Sequence, residues 1–141
     1  MIHKSVVAAV LLSASLVASA EVENIDNAKL ARLAADGVTV IDIRTEPEWK
    51  ATGVIPGSKL LTFVDERGQV DVPQWLSKVK LAVKLNEPVI LICRSGNRSR
   101  AATQLLSDKA GYKTVYNATT GLNSWIAEGR PVVPLASALT K

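Results

Sequence analysis

The chain has 141 residues, 48% of them apolar and 21% charged, with a formal net charge of +4. That leaves room for one globular domain and is too apolar for a disordered chain. The positive charge is mild and aromatic residues make up only 4%, so the basic surface interleaved with aromatics that nucleic acids need is not expected.

The first twenty residues, MIHKSVVAAVLLSASLVASA, combine a basic start at Lys4, an apolar stretch from Val6 to Val17, and small residues at Ala18 and Ala20. This is the pattern of a signal peptide, with cleavage expected between Ala20 and Glu21. The expected mature protein is therefore one domain, residues 21–141, in the periplasm or secreted. The apolar core is too short and too rich in serine for a membrane span, so no stable membrane insertion is expected after cleavage; an uncleaved anchor is the alternative. Removing the leader takes away Lys4 and no acid, leaving 16 basic against 13 acidic residues. It also takes away His3, the single histidine. A Cys-His or Ser-His couple and a histidine-ligated metal site are thereby excluded, and no metal or other cofactor is expected.

In chain order, Asn24 or Asp26 can cap a helix that carries Leu30, Ala31, Leu33 and Ala34 on one face and stops at Gly37. The β-branched run VTVIDI, residues 38–43, reads as a buried parallel strand. Thr45, Pro47 and the acids at 46 and 48 open a short helix that runs to about Ala51. KLLTF, 59–63, reads as a strand, and the turn-rich DERGQV, 65–70, leads to a helix opened by Asp71 and Pro73. Asn86-Glu87-Pro88 breaks that helix before VILIC, 89–93, the most strand-like segment of the chain. A helix opening near Ser99 carries Ala101, Ala102, Leu105 and Leu106 until Gly111. KTVYNA, 113–118, is a last strand, and Leu122, Trp125 and Ile126 mark a short helix that Gly129 stops. Strands alternating with helices predict an α/β fold, a parallel sheet covered on both faces, with the ligand crevice at the carboxyl ends of the strands.

Cys93, the single cysteine, stands at such an end. Arg94, Arg98 and Arg100 follow it, and no acid lies between Glu87 and Asp108, which concentrates the positive charge there. Two readings compete. Cysteine is often a small buried hydrophobe, and VILIC is a core strand. Alternatively, RSGNR, residues 94–98, is a turn in which Gly96 and Asn97 can take positive φ, so that backbone N–H groups curl inward as an anion cradle at a helix N-terminus. Such N–H groups, the helix dipole and Arg94 or Arg98 favour thiolate, and Cys93 then attacks without a histidine. A lone thiol in an oxidising compartment, where no internal partner exists, points the same way. Spacing chooses the transferred group. A phosphatase cradle needs arginine after five intervening residues, where this chain has Ser99; Arg98 comes after four, and a shorter loop suits a smaller group such as one sulfur atom.

Four stretches, VIDIRTEPEW (40–49), GVIPGSKL (53–60), VILICRSGNRS (89–99) and GLNSWIAEGRPV (121–132), resemble the rhodanese (sulfurtransferase) family in its order and spacing, over about residues 24–134. The resemblance implies a three-layer sandwich, a five-stranded parallel sheet with helices on both faces. It implies that Cys93 is the catalytic nucleophile, taking sulfane sulfur from a small anionic donor such as thiosulfate to form a persulfide. Arg94, Ser95, Gly96, Asn97 and Arg98 match the active-site loop whose N–H groups hold the terminal sulfur. A thiophilic acceptor, whether cyanide, a thiol or a protein cysteine, then removes it. A carrier or partner-binding module with little small-molecule turnover is the alternative. Asp42 and Arg44 match an Asp-x-Arg motif in which Arg44 either helps bind the donor or forms an ion pair that organises neighbouring loops. Ser99 is expected to cap the helix after the loop, Gly121 and Gly129 to meet turn requirements, and Trp49, Trp75 and Trp125 to be core. Two departures stand out: the family's Gly-His-Ile-Pro-Gly-Ala reads Gly53-Val54-Ile55-Pro56-Gly57-Ser58, without its histidine, and its Gly-Gly before the last helix reads Thr120-Gly121.

Overall fold

A computed structural model of the chain describes residues 7–13 and 21–140. The expected cleavage point after Ala20 and most of the expected leader lie outside the described residues; residues 7–13 are exposed and have no regular structure. Among the described residues no helix is long and apolar enough to cross a membrane.

The strands are β1 (Val22–Ile25), β2 (Thr39–Asp42), β3 (Lys59–Leu60), β4 (Val89–Ile92) and β5 (Val115–Ala118). They form one five-stranded sheet in the order β1-β5-β4-β2-β3, every pairing parallel. The helices are α1 (Asn27–Ala35), α2 (Glu46–Thr52), α3 (Val72–Ala82), α4 (Asn97–Asp108), α5 (Gly121–Ala127) and α6 (Leu135–Ala138).

The two-residue period of a strand sorts β2 and β4 between two cores. Ile41, Ile43, Leu91 and Cys93 point to one face and pack with Trp75 and Val79 of α3 and Ala102 and Leu106 of α4. Val40, Ile90 and Ile92 point to the other and pack with Leu30 of α1 and Leu122 and Trp125 of α5. Every residue of β4 is buried, which is why its sequence is continuously apolar. The same alternation puts Cys93 on the side from which α4 departs.

Several expectations shift. β1 carries no legible strand pattern, because it is an edge strand with Glu23 and Asn24 exposed and pairs only with β5. Asn24 belongs to that strand; the cap of α1 is Asp26, whose Oδ1 accepts from the Lys29 N–H at 2.8 Å. The run 59–63 contributes only two residues to the sheet, since it has a neighbour on one side alone. Its continuation still donates from Leu61 to the Asp42 carbonyl and from Phe63 to the Ile43 carbonyl. α4 starts at Asn97, two residues before the expected opening, and α6 is an additional short helix. The three tryptophans are buried as expected, with Trp75 Nε1 donating to the Leu61 carbonyl and Trp125 Nε1 to the Pro131 carbonyl.

Candidate functional site

Cys93 leaves β4 with its side chain 1% exposed, and the chain turns within Arg94-Ser95-Gly96 into α4. Gly96 is the hinge, at φ 98°. A Cβ there would stand 2.0 Å from the Thr119 carbonyl oxygen, so both the dihedral and the space require glycine. Asn97, expected to share the positive φ, does not: it is the first residue of α4.

This turn aims two backbone donors at one sulfur and sets a hydroxyl beside it. Cys93 Sγ accepts from the Gly96 N–H at 3.1 Å and the Ser99 N–H at 3.4 Å, and lies 3.4 Å from Ser99 Oγ. Ser99 is therefore not the helix cap. It sits inside the first turn, fully buried, with its hydroxyl also 3.2 Å from the Gly96 carbonyl oxygen. Burial by itself pushes the Cys93 thiol up, but the Ser99 hydroxyl together with the Ser99, Gly96 and Ser95 N–H groups outweighs it and brings the thiol below its ordinary value. The groups that reach the sulfur are backbone amides and a hydroxyl, not guanidinium groups.

The loop is held from outside by α5. The Leu122 N–H donates to the Cys93 carbonyl at 2.9 Å and the Asn123 N–H to the Arg94 carbonyl at 3.0 Å. These bonds turn the loop's carbonyls away and leave its amides facing inward. Gly121 makes the approach possible: at φ 67°, a Cβ on it would lie 2.3 Å from the Arg94 carbonyl oxygen. The sequence offered Gly121 only as a turn residue, because nothing local shows which strand end the turn packs against.

The arginines divide their roles. Arg44 is 1% exposed and fully engaged: Nε and Nη2 bond to the Asp42 carboxylate, Nη2 to the Gly53 carbonyl, and Nη1 to Thr52 Oγ1 at 2.8 Å. This favours the organising reading of Asp42 and Arg44, a buried pair that ties the end of β2 to the end of α2. Arg98 makes a bidentate pair with Glu48 of α2, Nη1 to Oε1 at 2.6 Å and Nη2 to Oε2 at 2.8 Å. The Arg98 contact, above all, holds the Glu48 carboxyl down at about 2. Arg94 is exposed. Arg94 and Asn123 meet Arg44, Pro47, Glu48, Ala51 and Thr52 around a cavity of about 340 Å³. Glu48 is the residue that sequence reasoning missed; its place in the first turn of α2 suggested a helix-end charge, and its partner lies fifty positions away.

The rhodanese-like domain family matches residues 26–128. The chain is 31% identical over 111 residues to the mitochondrial protein HIGH ARSENIC CONTENT 1 of Arabidopsis thaliana, covering 77% of this chain but only 64% of that relative. It is 27% identical over 117 residues to Thiosulfate sulfurtransferase 18 of the same plant, covering 79% of this chain and 84% of the relative. Among solved structures, a rhodanese-related protein of Thermoplasma volcanium superposes with a TM-score of 0.61 at 31% identity, covering 79% of this chain and 97% of that one. With a family match spanning most of its sheet and a fold shared at that identity, this chain belongs to the rhodanese-like domain family, a family of sulfurtransferases.

Proposed function

We propose that the protein transfers sulfane sulfur through a persulfide on Cys93. One observation carries this reading: the Cys93 sulfur, at the junction of β4 and α4, is met by two backbone amides and a hydroxyl that favour thiolate. A base is then unnecessary. With thiosulfate as donor, the Cys93 thiolate attacks the outer sulfur, a new S–S bond forms, and the old S–S bond breaks with its electron pair leaving on sulfite. The terminal sulfur carries the negative charge and is held by the loop of Arg94, Ser95, Gly96, Asn97 and Arg98, whose Ser95 and Gly96 amides already face the Cys93 sulfur. Cyanide or a thiolate then attacks that sulfur and the Cys93 thiolate leaves, so no external oxidant or reductant is needed. A phosphoryl substrate is disfavoured because Ser99 stands where an arginine would close on its oxygens, and the neighbouring Arg98 is occupied by Glu48.

Export through the leader at residues 1–20 belongs to the same proposal, as does an anionic sulfur donor and a thiol or protein-cysteine acceptor. The test is an intact mass spectrum after thiosulfate treatment. One added sulfur that cyanide removes, and that Cys93→Ser does not acquire, is expected; absence of the adduct overturns the reading. An adduct that forms but is not discharged by cyanide or small thiols moves the function to a carrier module.

A further inference from the structure

Arg44 and Arg94 line the cavity beside the thiol loop and Arg98 is bonded to Glu48 on its wall, yet two of the three guanidinium groups are cancelled. Arg44 faces Asp42, and Arg98 faces Glu48. Arg94, exposed on the loop, and the N-terminus of α4 remain as the positive features at the mouth. The two cancelling carboxylates are not equivalent. Asp42 is sealed in the core, whereas Glu48 has a quarter of its side chain exposed, 26%, and forms part of the cavity wall with Arg94 and Asn123. Glu48 is also fixed at its own end, because Oε1 accepts from the Thr45 hydroxyl at 3.1 Å. An anion that enters the cavity therefore meets an immobilised carboxylate on its wall, which also neutralises Arg98 behind it.

We infer that Glu48 is a positioning residue that determines donor specificity: by neutralising Arg98 and fixing a negative charge on the cavity wall, it disfavours dianionic donors such as thiosulfate relative to neutral or singly charged organic ones. Its meaning for donors rests on the sulfur-transfer reading above, but its electrostatic effect applies to any reagent that attacks or is attacked by Cys93. The apolar part of the same wall, Pro47 and Ala51, suits an organic substituent. Glu48 stays ionised wherever the thiolate forms, since Arg98 holds it at about 2.

The chain has a single cysteine, so alkylation of the full-length protein reports on Cys93 alone. Rates with anionic iodoacetate and neutral iodoacetamide are compared at low and high ionic strength. Glu48→Gln is expected to raise the iodoacetate-to-iodoacetamide ratio about three- to tenfold at low salt, an advantage that shrinks at high salt. Glu46→Gln, on the same helix and paired with the exposed Lys50, is expected to leave the ratio unchanged. If Glu48 only braces the loop, its loss alters both rates together and the ratio stays put, which overturns the inference. Should Glu48→Gln fail to fold, Arg98→Gln and the double variant decide: the single change lowers the ratio and adding Glu48→Gln restores it, whereas no restoration overturns the inference. In sulfur-transfer assays Glu48→Gln is expected to lower the KM for thiosulfate by a similar factor and to leave that for a neutral organic trisulfide unchanged. A shifted alkylation ratio without sulfur loading from any donor would instead remove the sulfur-transfer reading and leave the electrostatic one standing.

Discussion

The Ser99 hydroxyl has one proton and two claimants, the Gly96 carbonyl at 3.2 Å and the Cys93 sulfur at 3.4 Å. While sulfur is protonated, the thiol donates to Ser99 Oγ and the hydroxyl donates to Gly96. Once sulfur is ionised, the hydroxyl turns to it. The residue thus stabilises the charged form more than the neutral one, which is what lowers a thiol pKa. Ser99→Ala is therefore expected to move the Cys93 pKa upward and to slow alkylation at neutral pH about three- to tenfold. The pH profile of iodoacetamide reaction checks this, and an unmoved profile would leave the backbone amides as the whole cause. Cys93 and the Gly96 turn were legible in the sequence because a strand end, a glycine and an arginine cluster are local signals. Ser99 was placed as a cap because serine favours that position. Gly96 starts the helix earlier and carries Ser99 round to face the sulfur.

At the scale of elements, the site is a junction of β4, α4, α5 and α2. The α5 contribution depends on Gly121, whose positive φ and 2.3 Å Cβ approach to the Arg94 carbonyl leave no room for a side chain. Gly121→Ala is expected to destabilise the fold by about 2–3 kcal/mol and to loosen the Cys93 loop, seen as a lower Tm together with a higher thiol pKa. The α2 contribution rests on the Glu48–Arg98 pair. Glu48 sits at about 2 in the folded protein against an ordinary 4.5, so it stabilises the fold fully above about pH 4.5 and loses that contribution as pH falls towards 2. Acid titration of Tm should accordingly fall less steeply in Glu48→Gln than in the wild type across that window; equal slopes would show the pair contributes little. The helices that surround the site were legible from their caps and apolar spacing, and β4 from its continuous apolar run. β1 was not, since an edge strand of four residues with two exposed polar side chains has no pattern to read. The contact of α2 with α4 was equally hidden, because a helix face does not state which strand end it will cover.

Across the whole molecule, the sheet separates two cores, and the thiol belongs to only one of them. Leu30 of α1, fully buried against the opposite face of the sheet, offers a clean contrast. Leu30→Ala is expected to cost about 3 kcal/mol and lower Tm by roughly 10 °C, while the alkylation pH profile of the native state keeps its midpoint. A shifted midpoint would mean that the two faces are coupled through β4. The buried Asp42–Arg44 pair belongs to this scale too, joining the sheet to α2 beside the cavity.

What the sequence determined by itself is the alternation of parallel strands and helices, the position of the single cysteine at a strand's carboxyl end, and a four-residue interval to Arg98. These follow from interactions of near neighbours: apolar periodicity, turn chemistry and helix caps. Only the tertiary structure decided that Arg98 is neutralised by Glu48, that Arg44 is locked to Asp42, and that Gly121 brings α5 onto the loop. Charges and amides separated by tens of residues acquire their meaning when the sheet order sets them side by side. The lowered pKa of the Cys93 thiol is therefore a local property of its loop, and the charge on the neighbouring cavity wall is a property of the assembled fold.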